Sequence, residues 1–195
     1  MIKFSIFEKY SELQYGMSER LDGVMELSRK ILNGKDPKNR KAYFKKLKIP
    51  YERTIGAFLG HGINVAIVGQ ENAGKTFGGV DGFITKSDNL FLTVTGSDCF
   101  PVYFYDSKAK IIGLVHMGWR SIARNIASKA IEILMGIGSN TEDLLIGIGP
   151  GIQVCHFEVK DDALKKFNSH YEKYEHDGRS FLDLGAIIES QILTI

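Results

Sequence analysis

The chain has 195 residues, 44% of them hydrophobic and 25% charged, with a formal net charge of +2. A chain of that size and balance forms one globular domain, or a domain with a short extension, and buries roughly 70% of its unfolded surface. No run of about 18 apolar residues is present, which leaves no membrane-spanning helix, and the near-balanced charge makes no case for nucleic acid.

The first segment, "MIKFSIFEKYSELQYG", lacks the apolar stretch of a secretory leader. Residues 21–34, "DGVMELSRKILNG" with its flanks, read as a helix with Val24, Leu27 and Ile31 on one face and an Asn33-Gly34 C-cap. Lys35 to Pro37 interrupt it, and "NRKAYFKKLKI" resumes a helix with Tyr43, Phe44 and Leu47 clustered. The basic run over 35–48 is expected to be a solvated helix face.

From Arg53 to Val115 the texture changes to short β-branched or aromatic runs. "TIGAFL", "NVAIV", "GFITK", "LFLTVTG", "PVYFYD" and "IIGLVH" are separated by Gly, Asn, Asp and Ser and predict strands. "WRSIARNIASKAIEILMGIG" predicts one long helix, with an apolar stripe of Ile122, Ile126, Ala130, Ile133 and Leu134 that closes at Gly136. "DLLIGIG" predicts a further buried strand and "DDALKKF" a short helix. Clustered strands of this kind point to α+β rather than regular βαβ alternation.

"GQENAGKT", Gly69 to Thr76, matches the G-x-x-x-x-G-K-T phosphate loop letter for letter. That motif works only when a helix begins at its Gly-Lys-Thr, so that the first-turn N–H groups face the phosphates. Here "FGGVDGFITK" follows, and each of its three glycines costs about 1 kcal/mol in a helix interior. A glycine-rich connection between strands is therefore expected.

Chemistry gathers elsewhere. His61 in "GHGINV", Cys99 in "TGSDCFPV" and His116 in "IIGLVHMGWR" each stand at a strand end or a break between strands. Taken singly, each has a bland reading as a core thiol or a locally bonded imidazole. Cys155 and His156, adjacent in "QVCHFEV", are read as structural. Two cysteines make no disulfide framework, and a reducing cytoplasm is the expected setting.

In that order and with those gaps, "SDCFPV", "GLVHMGWR" and "GIGPGIQVCHFEV" resemble the laccase-domain (multicopper polyphenol oxidase) family. Its members are now better described as purine nucleoside phosphorylases. The upstream "HGINV" and "VDGFIT", and the N-terminal "YGMSERLDGV" and "NRKAYFKKLKI", are also similar to that family's pattern, so the resemblance runs from about Gly16 to Val159. The chain departs from the pattern at Leu59, where Gln is usual, and at Ser121, where Gly follows the Trp-Arg. It also lacks the family's final segment, with its Cys-Thr pair and Ser-Tyr-Arg run, and Gly69–Thr76 falls in a variable loop.

The resemblance implies a single domain over 1–195, an α+β fold of two mixed sheets packed between helices in four αββα layers. It also implies a metal held by His61, Cys99 and His116. Imidazole and thiolate suit Zn²⁺, and three protein ligands leave an open fourth position, the mark of a catalytic site where bound water ionises near pH ~7. Copper is disfavoured, because three ligands and two cysteines cannot furnish several copper centres. The implied reactions are phosphorolysis of adenosine, inosine, guanosine or methylthioadenosine, with adenosine deamination beside it. Arg120 is then the candidate phosphate cation, and Asp98 a candidate orienter or acid/base. Arg20, Asn39 and Arg40 are further substrate-pocket candidates. The partners expected are a purine nucleoside and phosphate, with no nucleic acid or membrane, in a monomer or small homo-oligomer. Three competing readings stand beside this one: a metal-free Cys–His hydrolase with Cys99 as nucleophile, a copper phenol oxidase, and an inactive binding protein on the same fold.

Overall fold

Eleven strands and five α-helices are found among the described residues of the computed structural model, which are 2–25, 27, 38–167, 171 and 173–195. Five strands form the central sheet: β2 (Val65–Ile67), β4 (Gly82–Thr85), β7 (Ile111–Met117), β6 (Phe100–Asp106) and β8 (Leu144–Ile148), in that spatial order. β2 and β4 run parallel, and the remaining neighbours are antiparallel. A smaller parallel sheet has β1 (Thr54–Phe58) between β3 (Thr76–Gly78) and β5 (Phe91–Leu92). A third, antiparallel sheet contains β9 (Glu158–Val159), β10 (Lys173–His176) and β11 (Arg179–Leu182). The mixed α and β single domain expected from the sequence is thus present. Its strands are shared among three sheets, of which only the central one mixes directions.

The alternation of side chains along β4 shows how the layers meet. Ile84 faces a core shared with Val102, Phe104 and Val115 and with the helices α3 (Ile126–Gly136) and α5 (Leu184–Leu193). Phe83, one residue earlier, faces the opposite side and packs with Ile55 and Ala57 of β1. The central sheet is therefore covered by helices on one face and by the small parallel sheet on the other, a consequence of the two-residue period of a strand. Both faces are apolar, which accounts for the near-continuous hydrophobic runs of β6 and β7.

The predicted long helix is divided. α2 (Trp119–Ile122) and α3 are separated at Asn125, whose backbone is left-handed at φ 56° and whose side chain caps α3 by accepting from the Ser128 N–H. Asparagine tolerates that conformation and suits an N-cap. Ile131 is buried in the apolar stripe, whereas Ile133 is only half-buried. α3 ends as expected at Gly136. Gly138 follows at φ 101°, while the Ser139 N–H reaches the Leu134 carbonyl at 3.0 Å, a Schellman closure.

Other expectations shift. The helix predicted over 21–34 is replaced, where described, by a single 3₁₀ turn at Arg20–Asp22 ending at Gly23 with φ 82°. The rest of it, including Ile31 and the Asn33-Gly34 cap, lies outside the described residues. "NRKAYFKKLKI" does form a helix, α1 (Lys38–Lys46), and "DDALKKF" gives the four-residue α4 (Asp161–Leu164). The "GQENAGKT" loop contains a 3₁₀ turn at Gln70–Asn72, and its Thr76 opens β3 instead of a helix. No first-turn N–H cluster faces outward there, so the letters of a phosphate loop are present without its geometry. No helix is long and apolar enough to cross a membrane among the described residues.

Candidate metal centre and cavity

His61 follows β1 through Leu59 and Gly60. Its left-handed backbone, φ 51°, turns the chain sharply before β2. A non-glycine residue held in that region costs on the order of 1 kcal/mol or more, and such strain gathers where side-chain placement matters. Cys99 immediately precedes β6, and His116 lies within β7, where it pairs with Pro101 of β6. The sheet register thus brings the two later residues together, and the tight Gly-His-Gly turn delivers the first.

The outcome is the cluster expected from sequence. One ligating atom from each of His61, Cys99 and His116 lies within 4.8 Å of the other two. The imidazole rings meet edge-on, with centroids 5.1 Å apart and planes at 88°. Tetrahedral zinc, with Zn–S about 2.3 Å and Zn–N about 2.0 Å, needs its ligands roughly 3.5 Å apart, so a small inward turn of the side chains suffices. Gly118 supplies the room: a Cβ there would stand 3.0 Å from the Cys99 Sγ and 3.5 Å from the His116 Cε1.

A fourth residue, not singled out from the sequence as part of the site, organises the other three. Asp81, in "VDGFIT", is fully buried. Its backbone N–H donates to the Asn64 carbonyl and its carbonyl accepts from the His116 N–H, each at 2.7 Å. Its carboxylate Oδ2 accepts from the Gly62 N–H at 2.9 Å, while Oδ1 lies 3.7 Å from the His116 Nδ1. That last separation is an ion-pair distance rather than a hydrogen bond, and neither Oδ1 nor Nδ1 has a hydrogen-bond partner. Burial alone would raise the Asp81 pKa, but the neighbouring His116 imidazole and the N–H donated by Gly62 hold it below the usual carboxylate value. Burial alone would lower that of His116, but Asp81 and Cys99 outweigh it and carry it up to about 9. With Nδ1 turned to Asp81, Nε2 is the nitrogen left for a metal, the carboxylate–histidine arrangement of metal centres.

The three residues stand in the wall of a cavity of about 890 Å³. Half-buried apolar and aromatic side chains, Leu59, Phe91 and Tyr103 among them, form much of its lining, and the N-terminal segment covers part of it. That segment is fastened by the Tyr103 hydroxyl, which donates to the Gly16 carbonyl at 3.1 Å. Leu59, where the resemblance led us to look for Gln, contributes an apolar patch to this wall. Ser121 is fully buried and satisfied, since its Oγ accepts from the Gly118 N–H at 3.0 Å and donates to the Gly118 carbonyl at 2.8 Å.

The remaining sequence candidates separate. Arg40 is buried and lines the cavity. Asn39 is exposed and donates to the Val24 carbonyl at 3.1 Å, tying α1 to the chain before it. Arg20 is exposed on its 3₁₀ turn. Arg120 is exposed with its guanidinium 4.4 Å from the Trp119 ring, outside the cavity lining. Asp98 is exposed too, and its carbonyl accepts from the Ile152 N–H at 2.8 Å. Cys155 and His156 are both exposed and contact each other, Sγ to Nδ1, at 3.0 Å.

Residues 17–195 match the model of the multi-copper polyphenol oxidoreductase laccase family. The chain belongs to this family. Among relatives, it is 34% identical over 110 residues to a purine nucleoside phosphorylase of Borreliella burgdorferi, covering 53% of this chain and 48% of that one. A protein of the same name from Staphylococcus saprophyticus is 38% identical over 91 residues, 47% of this chain and 33% of its own. The matched region thus spans less than half the length of these curated relatives. Two solved structures superpose on this fold. YfiH of Bacillus licheniformis does so with a TM-score of 0.76 at 27% identity, over 80% of this chain and 64% of that one. YlmD of Geobacillus stearothermophilus does so with a TM-score of 0.75 at 26% identity, over 80% and 63%.

Proposed function

We infer that the chain acts as a metal-dependent purine nucleoside phosphorylase, taking adenosine, inosine, guanosine or methylthioadenosine together with inorganic phosphate. The observation that carries this reading is the meeting of His61, Cys99 and His116 at the wall of one large, mainly apolar cavity. Its support from kinship is the name borne by relatives such as those of Borreliella and Staphylococcus. In the reaction a phosphate oxygen forms a bond to the ribose C1′ as the bond from C1′ to the purine nitrogen breaks. The electron pair leaves with the purine, which takes up a proton.

The site residues suit a single zinc ion, which when bound supplies a Lewis acid for an oxygen of either substrate. Asp81 stands at ion-pair distance from Nδ1 of His116 and favours a proton there, so that the imidazole presents Nε2. Leu59, Phe91 and Tyr103 exclude water around the ribose and base, which strengthens polar interactions inside. The orienting role that the sequence suggested for Asp98 falls to Asp81 in this reading. Arg120 would have to leave its stack on Trp119 to reach phosphate. Adenosine deamination, with water replacing the 6-amino group, is a second activity expected of the same cavity.

The test is base release from inosine by the zinc-loaded protein with and without phosphate. Release that requires phosphate and yields ribose 1-phosphate is expected; equal release without phosphate would refute the phosphorylase. The closeness of Cys99 to His116 also fits a Cys–His hydrolase. The metal content of protein purified without added zinc separates the two, since a hydrolase of that kind needs none.

A further inference from the structure

We propose that β10 is the joining edge of a symmetric dimer, in which a second copy of this chain pairs its own β10 antiparallel and extends the third sheet to six strands. β10 stands at the end of the order β10-β11-β9 and pairs on one side only among the described residues. All four of its residues are exposed, and Tyr174 keeps 46% of its surface open. Such an edge presents a row of main-chain donors and acceptors that a further strand can take up.

Which of these groups point outward follows from the register. The hairpin closes through two residues, Asp177 and Gly178, both left-handed at φ 49° and 69°. His176 and Arg179 are therefore the hydrogen-bonded pair next to the turn. Bonded and non-bonded pairs alternate from there. Tyr174 exchanges its main-chain bonds with Phe181, while Lys173 and Glu175, opposite Leu182 and Ser180, turn theirs away. β11 agrees with this assignment: the Leu182 N–H donates to the Phe157 carbonyl at 3.3 Å, on the β9 side and away from β10. The open edge thus consists of the N–H and C=O groups of Lys173 and Glu175.

Charge then selects the partner. Outward groups must meet outward groups, so a two-fold axis crosses the strand at residue 173, 174 or 175. An axis at 173 sets Lys173 against Lys173 of the second copy, and one at 175 sets Glu175 against Glu175, both unfavourable. With the axis at Tyr174, Lys173 of each copy lies opposite Glu175 of the other. Their outward N–H and C=O groups then form four main-chain hydrogen bonds. The Lys173–Glu175 ion pair, 2.9 Å within one chain, gains a counterpart across the junction. Tyr174 meets Tyr174 of the second copy as a non-hydrogen-bonded pair, the closer of the two spacings, at which aromatic rings pack. Such a surface is its own complement, as a closed two-fold dimer requires. The same charges disfavour strands of other sequence.

Sedimentation velocity of the 195-residue chain over a range of concentrations tests the junction, with Lys173→Glu and Glu175→Lys prepared separately and then mixed. The wild type is expected to approach a dimer as concentration rises. Each variant alone sets like charges across the axis and should associate about tenfold or more weakly. An equimolar mixture should recover association as a heterodimer, because one chain brings two acidic side chains and the other two basic ones. Both variants break the ion pair within the chain, so recovery on mixing reads the contact between chains alone. Amide exchange gives a second measurement that needs no variant. The Lys173 and Glu175 amides should slow with concentration, while those of Tyr174 and His176 are protected throughout. A chain that stays monomeric up to its solubility limit, variants that dimerise as the wild type does, or a mixture no more associated than its components would overturn the junction. The first of these would leave the edge to a strand of another protein. None of these outcomes depends on the metal or on nucleoside turnover.

Discussion

His116 and Asp81 form a buried pair in which Nδ1 and Oδ1 stand 3.7 Å apart, an ion-pair distance at which neither atom has a hydrogen-bond partner. The carboxylate settles which imidazole nitrogen is free, and it does so through a residue tied by its own backbone to both β7 and the start of β2. Asp81→Asn keeps the shape and removes the charge. It is expected to lower zinc affinity by about 10- to 100-fold, the usual cost of losing a partner of a ligating histidine. Competition with a chromophoric chelator measures this, and an unchanged affinity would remove Asp81 from the site.

Gly118 offers a steric test of the same centre. Its φ of −91° is open to any residue, so Gly118→Ala carries no backbone strain. The added Cβ would stand 3.0 Å from the Cys99 Sγ and 3.7 Å from the His61 Cδ2, and the thiol must give way. Zinc affinity should fall by about tenfold or more, with the unfolding midpoint of the metal-free protein much less affected. Equal loss in both would make the effect one of general packing.

How much of this could be read from the letters differs from element to element. β1, β4, β6, β7 and β8 lie where apolar runs predicted them, because strands buried on both faces must be continuously hydrophobic. The break between α2 and α3 was hidden by an apolar stripe that continues across it, although Asn125 is the residue that makes it. The hairpin of β10 and β11 went unread, since its strand residues are largely exposed. Its Asp177-Gly178 turn, with φ of 49° and 69°, is the signal that would have found it. β3 is three residues of small sheet edge hidden inside an apparent phosphate loop. At the site, His61, Cys99 and His116 were found through motif order, but their meeting is made by sheet register and the turn at His61. Asp81 was visible as part of a turn motif, and only its burial beside His116 reveals what it does. Arg40 was one candidate among several until burial and the cavity set it apart from Arg20, Asn39 and Arg120.

Away from the centre, Asp106 gives a prediction about stability and pH. Its buried carboxylate accepts from the N–H groups of Lys108 and Ala109 at 2.9 and 2.8 Å and from the Ser139 hydroxyl at 2.7 Å. Burial pushes its pKa up, but the bonds from Ala109, Ser139, Asn140 and Lys108 prevail and hold it below the usual value. A carboxyl whose folded pKa is depressed stabilises the fold fully above its unfolded pKa of about 3.9, and that stability is lost as pH falls through the folded pKa. Asp106→Asn should therefore lower stability by about 2 kcal/mol at pH 6. It should also flatten the decline of stability as pH falls below about 4. Urea unfolding of the metal-free protein at several pH values checks both, and an undiminished acid decline in the variant would contradict them.

The central claim is that His61, Cys99 and His116 hold one metal that the reaction requires. Zinc content per chain, measured beside inosine phosphorolysis for the wild type and Cys99→Ala, tests it most directly. One zinc per wild-type chain is expected, with metal and phosphate-dependent turnover lost together in Cys99→Ala. A variant that lacks zinc yet turns over inosine at the wild-type rate, or a fully active wild type free of metal, would contradict the account.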